Sequence, residues 1–278
     1  LFFPGFPYLL RGLHAVLHPI TGLHHETIAY GVNFLLGVVM IAGVMALVNH
    51  IPSINHWGAK TQRARILAAV LIAGVPMGIT FNMAYSESLF GALSIWALVA
   101  VDVMLVLFLA VLTTDRKNWR GWLATLLSPL GLLWYLWWSS SYLTHIGGYF
   151  GMQREGWNSA FDWGIATWKF ATFTMFASRE LGYFLSVAVM IAFVFIVAGS
   201  FRKLPWQIWV FSAAVAANIL LSDGIMHSRP RLLSPAYLLL LPLVFFFARR
   251  LSTPAQITIA VSWLLWGAWF GAYMLGVF

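Results

Sequence analysis

Cysteine is absent from the 278 residues, which excludes disulfides and thiolate metal sites and leaves open which redox compartment the connections face. Charge is almost as scarce. Asp, Glu, Lys and Arg make up 9% of the chain against 61% hydrophobic residues, and the mean hydropathy is +0.84. A soluble domain carries roughly 25% charged residues, so water is not the solvent for most of this surface. No Asn-x-Ser/Thr sequon occurs. The first residues lack the charged stretch and small-residue cleavage site of a signal peptide, and neither an internal repeat nor a low-complexity segment is present. Carboxylates are the rarest charge, 8 against 16 Lys and Arg, giving a net charge of +8. In a soluble protein that balance would point to nucleic acid. Here the basic residues form short clusters between apolar runs, as topology determinants do, and a nucleic-acid partner is excluded.

What is present is apolar length. A span needs about 20 residues to cross roughly 30 Å of hydrocarbon, so the chain holds about eight spans with modest connections. The fold class is therefore an all-α polytopic membrane protein, one domain over 1–278, without room for a large soluble part. Apolar runs predict spans at Thr27–Asn49, Arg65–Met83, Leu89–Leu112, Trp122–Tyr142, Leu181–Gly199, Trp206–Leu221, Ser234–Ala248 and Ala255–Val277. Lys60, Arg63 and Arg65, then Arg116, Lys117 and Arg120, then Arg202 and Lys203, then Arg249 and Arg250 fall in every second connection. The positive-inside rule makes those connections cytoplasmic. The opposite connections carry Glu87, Glu155, Asp162, Glu180 and Asp223, together with basic residues (Arg154, Lys169, Arg179, Arg229, Arg231) that oppose the rule, as anion binding would require. Phe2–His18, interrupted by Pro4, Pro7, Arg11 and His14, is too short to span and suits an interfacial helix on the outer face. Trp119, Trp122, Trp134, Trp137, Trp138 and Tyr142 form an aromatic belt, and Gly267 with Gly271 is a small-residue pair of the kind found at helix contacts. Asp102 breaks an apolar run without a polar turn; such a residue costs ~2.5–3.5 kcal/mol to insert. The expectation is either a functional intramembrane carboxylate or residues missing near 100–102.

Chemistry-bearing residues collect in the outer connections. After Leu221 the chain reads S-D-G-I-M-H-S-R-P-R-L-L-S-P. Pro230 predicts an extended Ser228–Arg229 approach and a helix start behind it, with the Arg229 and Arg231 forks and His227 as donors for a phosphate. A lipid-headgroup anchor and a salt bridge to Asp223 are the alternatives. Tyr85, Ser86 and Glu87 stand at the outer end of one predicted span, where Glu87 either accepts from a hydroxyl or caps the following helix. The loop Met152–Gly164 mixes Trp157 and Trp163 with Gln153, Asn158 and Asp162, a set suited either to a sugar's apolar face and hydroxyls or to interfacial anchoring. His24, His25, His50 and His56 have no metal-ligand spacing, and no metal is assigned.

Four ordered blocks then carry a resemblance. F-F-P-G-F-P at Phe2–Pro7, Y-S-E-S-L-F at Tyr85–Phe90, G-W-N-S-A-F-D-W-G at Gly156–Gly164 and S-R-P-R-L-L-S-P-A at Ser228–Ala236 are similar to motifs of the PIG-V family of multi-spanning mannosyltransferases. The resemblance implies a GT-C type enzyme that takes mannose from a polyprenyl- or dolichyl-phosphate donor and passes it to a lipid or glycolipid acceptor on the non-cytoplasmic face. No cofactor is implied beyond the lipid-phosphate sugar. It further implies a first span and a W-D-containing loop upstream of Leu1 that carry the catalytic carboxylate, leaving the general base unassigned here and Glu87 as a supporting residue. On this account Arg229, Arg231 and His227 bind the donor phosphate, and Tyr85, Gln153, Trp157 and Asp162 bind sugar or acceptor. Relatives have more residues after Trp96 than this chain does before Val103. A transporter of an anionic or lipid-linked substrate and a non-catalytic partner subunit are the competing readings.

Overall fold

The computed structural model describes residues 5–51, 54, 56–76, 119, 123, 137–138, 140–148, 151, 154–155 and 160–277. Its principal helices are α1 (Gly5–Thr21), α2 (His25–Asn49), α3 (Ala59–Ala73), α4 (Ile165–Phe176), α5 (Leu181–Ser200), α6 (Trp206–Leu220), α7 (Arg229–Leu232), α8 (Leu241–Arg250) and α9 (Thr253–Val277). Three 3-10 segments punctuate them: Thr144–Ile146, Met226–Ser228 and Ser234–Leu240. The described residues form an all-helical structure apart from a single isolated β-bridge.

Proline sets several of the boundaries. Pro205 precedes α6, and Pro242 sits in the first turn of α8, where a missing N–H costs no intrahelical bond. Helix α8 closes on Arg249 and Arg250, cations suited to the negative end of the helix dipole. Its last carbonyls are covered from the next helix. Buried Gln256 donates through Nε2 to Phe247 O at 3.2 Å and Leu251 O at 3.0 Å, satisfying acceptors that a helix end leaves open.

Among the described residues three helices are long and apolar enough to cross a membrane: α2, α5 and the Thr253–Met274 stretch of α9. Met226–Leu232 and Ser234–Arg250 pass the same test only together and are bent by 60° at the break between them. The outward sides are as apolar as the inward ones. Phe34, Leu35, Val194, Phe195, Ile257 and Leu265 are all exposed, a surface that hydrocarbon tolerates and water does not.

Inside the bundle, packing runs through small residues and interlocking side chains, as it must where lipid removes the hydrophobic drive between helices. Ala64 and Ala68 of α3 are fully buried between α2 and α8. Phe193 of α5 meets Tyr237 edge-on at 4.8 Å, and Leu233, Leu238 and Leu241 fill the space beside α6. Helices α3 and α9 approach closely: a Cβ on Gly267 would overlap the carbonyl oxygen of Gly74 at the end of α3, and Trp263 Nε1 donates to Leu71 O at 2.9 Å. The small-residue expectation for Gly267 is met, with α3 as its partner.

Charge separates by end. The turns α2–α3, α5–α6 and α8–α9 gather at one end with Lys60, Arg63, Arg202, Lys203, Arg249 and Arg250. There Lys60 Nζ donates to Arg249 O at 3.3 Å and the Arg249 guanidinium lies 5.8 Å from the Trp57 ring. Glu26, Asp162, Glu180 and Asp223 lie at the other end, beside the starts of α2, α4 and α5. Helix α1 joins α2 at this second end, within three residues of the interfacial segment the sequence predicts.

Three expectations need correction, and three more fall outside the described residues. Over the predicted span Arg65–Met83, helix α3 begins earlier, at Ala59, and ends at Ala73, where Gly74 caps it and Pro76 follows, and 77–83 lie outside the described residues. Ser234–Ala248 opens as a seven-residue 3-10 helix before turning α-helical. Helix α4 was expected as plain connection; at 12 residues it is too short for a window tuned to spans, although its Trp168, Phe173 and Phe176 are exposed. The predicted span Leu89–Leu112, the Asp102 neighbourhood and most of Trp122–Tyr142 lie outside the described residues.

Candidate functional site

Two connections distant in sequence are stitched together at the carboxylate end. Phe161 and Ser222 form the antiparallel bridge, Asp162 N and Gly164 N both donate to Leu221 O (3.1 and 3.2 Å), and Asp223 N donates to Ala160 O at 2.6 Å. The aromatic loop and the Arg-Pro-Arg connection thus share one small platform. Glycine makes the turn: Gly164 has φ +84°, and a Cβ there would press on Leu220 O at 3.3 Å. Trp163 beside it is less comfortable. It sits at φ +62°, a region a bulky side chain rarely adopts, and its ring is 79% exposed, edge-on to Phe161 at 4.9 Å.

Asp162 organises the start of α4. Its Oδ1 accepts from Gly164 N at 2.9 Å and its Oδ2 from Ala166 N at 2.6 Å, placing a carboxylate on the positive end of the helix. A carboxylate offers about four acceptor positions, so this cap leaves room for a further hydroxyl. The sequence assigned Asp162 a binding role; the structure adds the capping one.

Arg229 departs from its expected place. It is 3% exposed and turned inward, with Nη1 donating to Thr167 Oγ1 at 3.0 Å and to Ile219 O, and Nη2 donating to Ser222 O. Thr167 in turn donates to Leu220 O at 2.6 Å. The guanidinium therefore clamps α4 to the end of α6. Burial lowers its pKa from the ordinary arginine value while Asp162 and Asp223 oppose that shift, which keeps the cation in place. The backbone explains the error. Ser228 and Arg229 are helical (ψ −3° and −35°) instead of extended, a conformation disfavoured before Pro230 and held here by the clamp and by Leu233 N bonding Arg229 O at 2.9 Å.

His227 and Arg231 are both half-buried, and the Arg231 Nε is covered. The His227 ring lies parallel to Tyr183 of α5 at 6.1 Å, Phe170 of α4 adjoins Tyr183 at 5.2 Å, and Ser186 Oγ donates to His227 O at 3.2 Å. Burial first, and then the nearby Arg231 charge, lower the His227 pKa, so the ring is neutral at pH 7 and offers one N–H. Sequence reasoning missed Thr167 and Tyr183; each is an ordinary residue of an apolar helix, and only the fold brings them to the platform. Tyr85, Glu87, Gln153 and Trp157 lie outside the described residues. Among the described residues no group of three His, Asp or Glu side chains could hold a metal ion.

The bridge and Arg229 thus tie the connection bearing His227 and Arg231 to the turn bearing Asp162 and the exposed Trp163, groups of the kinds that bind an anion and a hydroxylated ligand. Comparison with known proteins adds nothing to this picture: no family model, no curated protein and no solved structure matches the chain.

Proposed function

We propose that this chain is a multi-pass membrane glycosyltransferase of the GT-C type, moving mannose from a polyprenyl- or dolichyl-phosphate donor to a lipid or glycolipid acceptor. The observation that carries the reading is the bridge joining 160–164 to 221–223, together with Arg229, which ties the connection bearing His227 and Arg231 to Thr167 and Ser222 within the field of Asp162. In this reading Arg231 and neutral His227 hold the donor phosphate, Arg229 fixes the frame, and the exposed Trp163 indole supplies an apolar face for the sugar. The strained Trp163 backbone supports that role, since strain of this kind persists where a side chain must be aimed.

The reaction is an inverting displacement. The acceptor oxygen bonds to the anomeric carbon, the bond from that carbon to the phosphate oxygen breaks, and a carboxylate removes the acceptor proton. Negative charge develops on the departing lipid phosphate, and the Arg231 guanidinium stabilises it. The residues resembling PIG-V blocks support mannose as the sugar, and the basic turns at the opposite end support a non-cytoplasmic active face.

The test is transfer of labelled mannose from a short-chain polyprenyl phosphate by protein reconstituted in vesicles. Arg231→Ala should lower kcat/KM by about 10- to 100-fold, the loss of one charge-assisted hydrogen bond of ~1.5–3 kcal/mol. Unchanged turnover in that variant, or no transfer by the full-length protein, contradicts the proposal.

A further inference from the structure

At the basic end, away from the platform, a cleft of about 430 Å3 opens between α5 and the limb formed by Ser234–Leu240 and α8. Its walls are Ile196 and Gly199 on one side and Leu239, Leu240, Leu243 and Phe246 on the other, and Lys203 stands at its mouth. The cleft has a local cause. The 3-10 stretch is slimmer than an α-helix, and the change to α-helix at Leu241–Pro242 leaves α5 without a side chain to meet at Gly199. A Cβ on Gly199 would find no atom within 4 Å.

We infer that this cleft is a binding site for an anionic glycerophospholipid, with an acyl chain against the apolar walls and the phosphate on Lys203. Charge complementarity selects the occupant. Lys203 is exposed at the groove's open end and followed on neighbouring turns by Arg202, Arg249 and Arg250, while the carboxylates Glu26, Asp162, Glu180 and Asp223 lie at the far end. In a bilayer the apolar part of the groove falls at acyl-chain depth and the lysine at headgroup depth, the arrangement by which basic pockets between helices retain anionic lipids. A neutral zwitterionic lipid would fill the same walls and leave the lysine to water. The inference needs the bilayer and is independent of any transferase activity.

Native mass spectrometry of protein exchanged into mixed nanodiscs of phosphatidylglycerol and phosphatidylcholine tests it. The wild type should retain phosphatidylglycerol over phosphatidylcholine by about fivefold, the preference one near-surface lysine brings. Gly199→Leu, which puts a side chain into the groove at a position where a Cβ meets no atom within 4 Å, should abolish retention of either lipid. Lys203→Glu, at an exposed position, should keep a lipid while losing the preference. Equal retention of the two lipids by the wild type, or wild-type preference in both variants, overturns the inference.

Discussion

Arg229 and Arg231 are two residues apart and carry the same group, yet burial gives them different work. Arg229 closes on Thr167, Ile219 O and Ser222 O, and its removal leaves buried acceptors without donors. Arg229→Ala should therefore cost ~1–3 kcal/mol of stability, seen as a lower melting temperature, where Arg231→Ala leaves melting unchanged. A melting temperature equal to wild type in Arg229→Ala would show that the clamp is not formed. This division was invisible in the sequence. The S-R-P-R pattern identified both cations and the correct end of the molecule, but a guanidinium's direction depends on which carbonyls surround it. Ile219 O is at the end of α6 and Ser222 O follows it, while the third partner, Thr167, comes from α4 and is brought near by the bridge. Glycine offers the same contrast: Gly199 faces open space and Gly267 faces the Gly74 carbonyl. Gly267→Ala should lose ~1–3 kcal/mol by overpacking, and Gly199→Ala should be neutral or slightly stabilising.

Among the elements, α2, α5 and α9 were legible from apolar length alone, because hydrocarbon demands a fixed run and tolerates side chains of any shape. Helix α4 was not, since a 12-residue helix gives no span signal. The 3-10 character of Ser234–Leu240 was equally hidden; Pro235 and Pro242 bracket it without dictating it. The corner between α1 and α2 is the element with a pH response. There His14 stacks on His25 at 3.4 Å and on His18 at 4.6 Å, with His24 6.5 Å from His18. Crowding that strips water from the His14 ring, then the charges of His25, His18 and His24, hold its pKa below 6.5. A depressed histidine favours the docked, neutral state, so its contribution is present above pH 6.5 and is lost as the pH falls through that value. Hydrogen-exchange protection of residues 5–21 should fall between pH 8 and pH 5 in the wild type and change less in His14→Leu. Equal pH dependence in both would remove the histidine cluster from the explanation.

At the scale of the whole molecule, the organising fact among the described residues is that the turns at one end carry basic residues alone, whereas the other end holds Glu26, Asp162, Glu180 and Asp223 together with Arg179, Arg229 and Arg231. Alternate connections in the sequence already carried the basic part of that pattern, which is why the two ends were readable where the site's geometry was not. The lack of cysteine makes it directly measurable. Phe161→Cys and Arg202→Cys, at exposed positions of opposite ends, should react with a membrane-impermeant maleimide from opposite sides of sealed vesicles. Labelling of both from one side would refute the arrangement.

The central claim is that the platform made by 160–164 and 221–231 grips a sugar carried on a lipid phosphate. Photo-crosslinking with a diazirine-bearing polyprenyl-phosphate mannose, read out by peptide mass spectrometry, addresses it most directly. The account predicts adducts within those two segments that are competed away by unlabelled donor and weakened in Arg231→Ala. Adducts confined to other parts of the chain, or labelling of the platform that neither competitor nor mutation reduces, would contradict it.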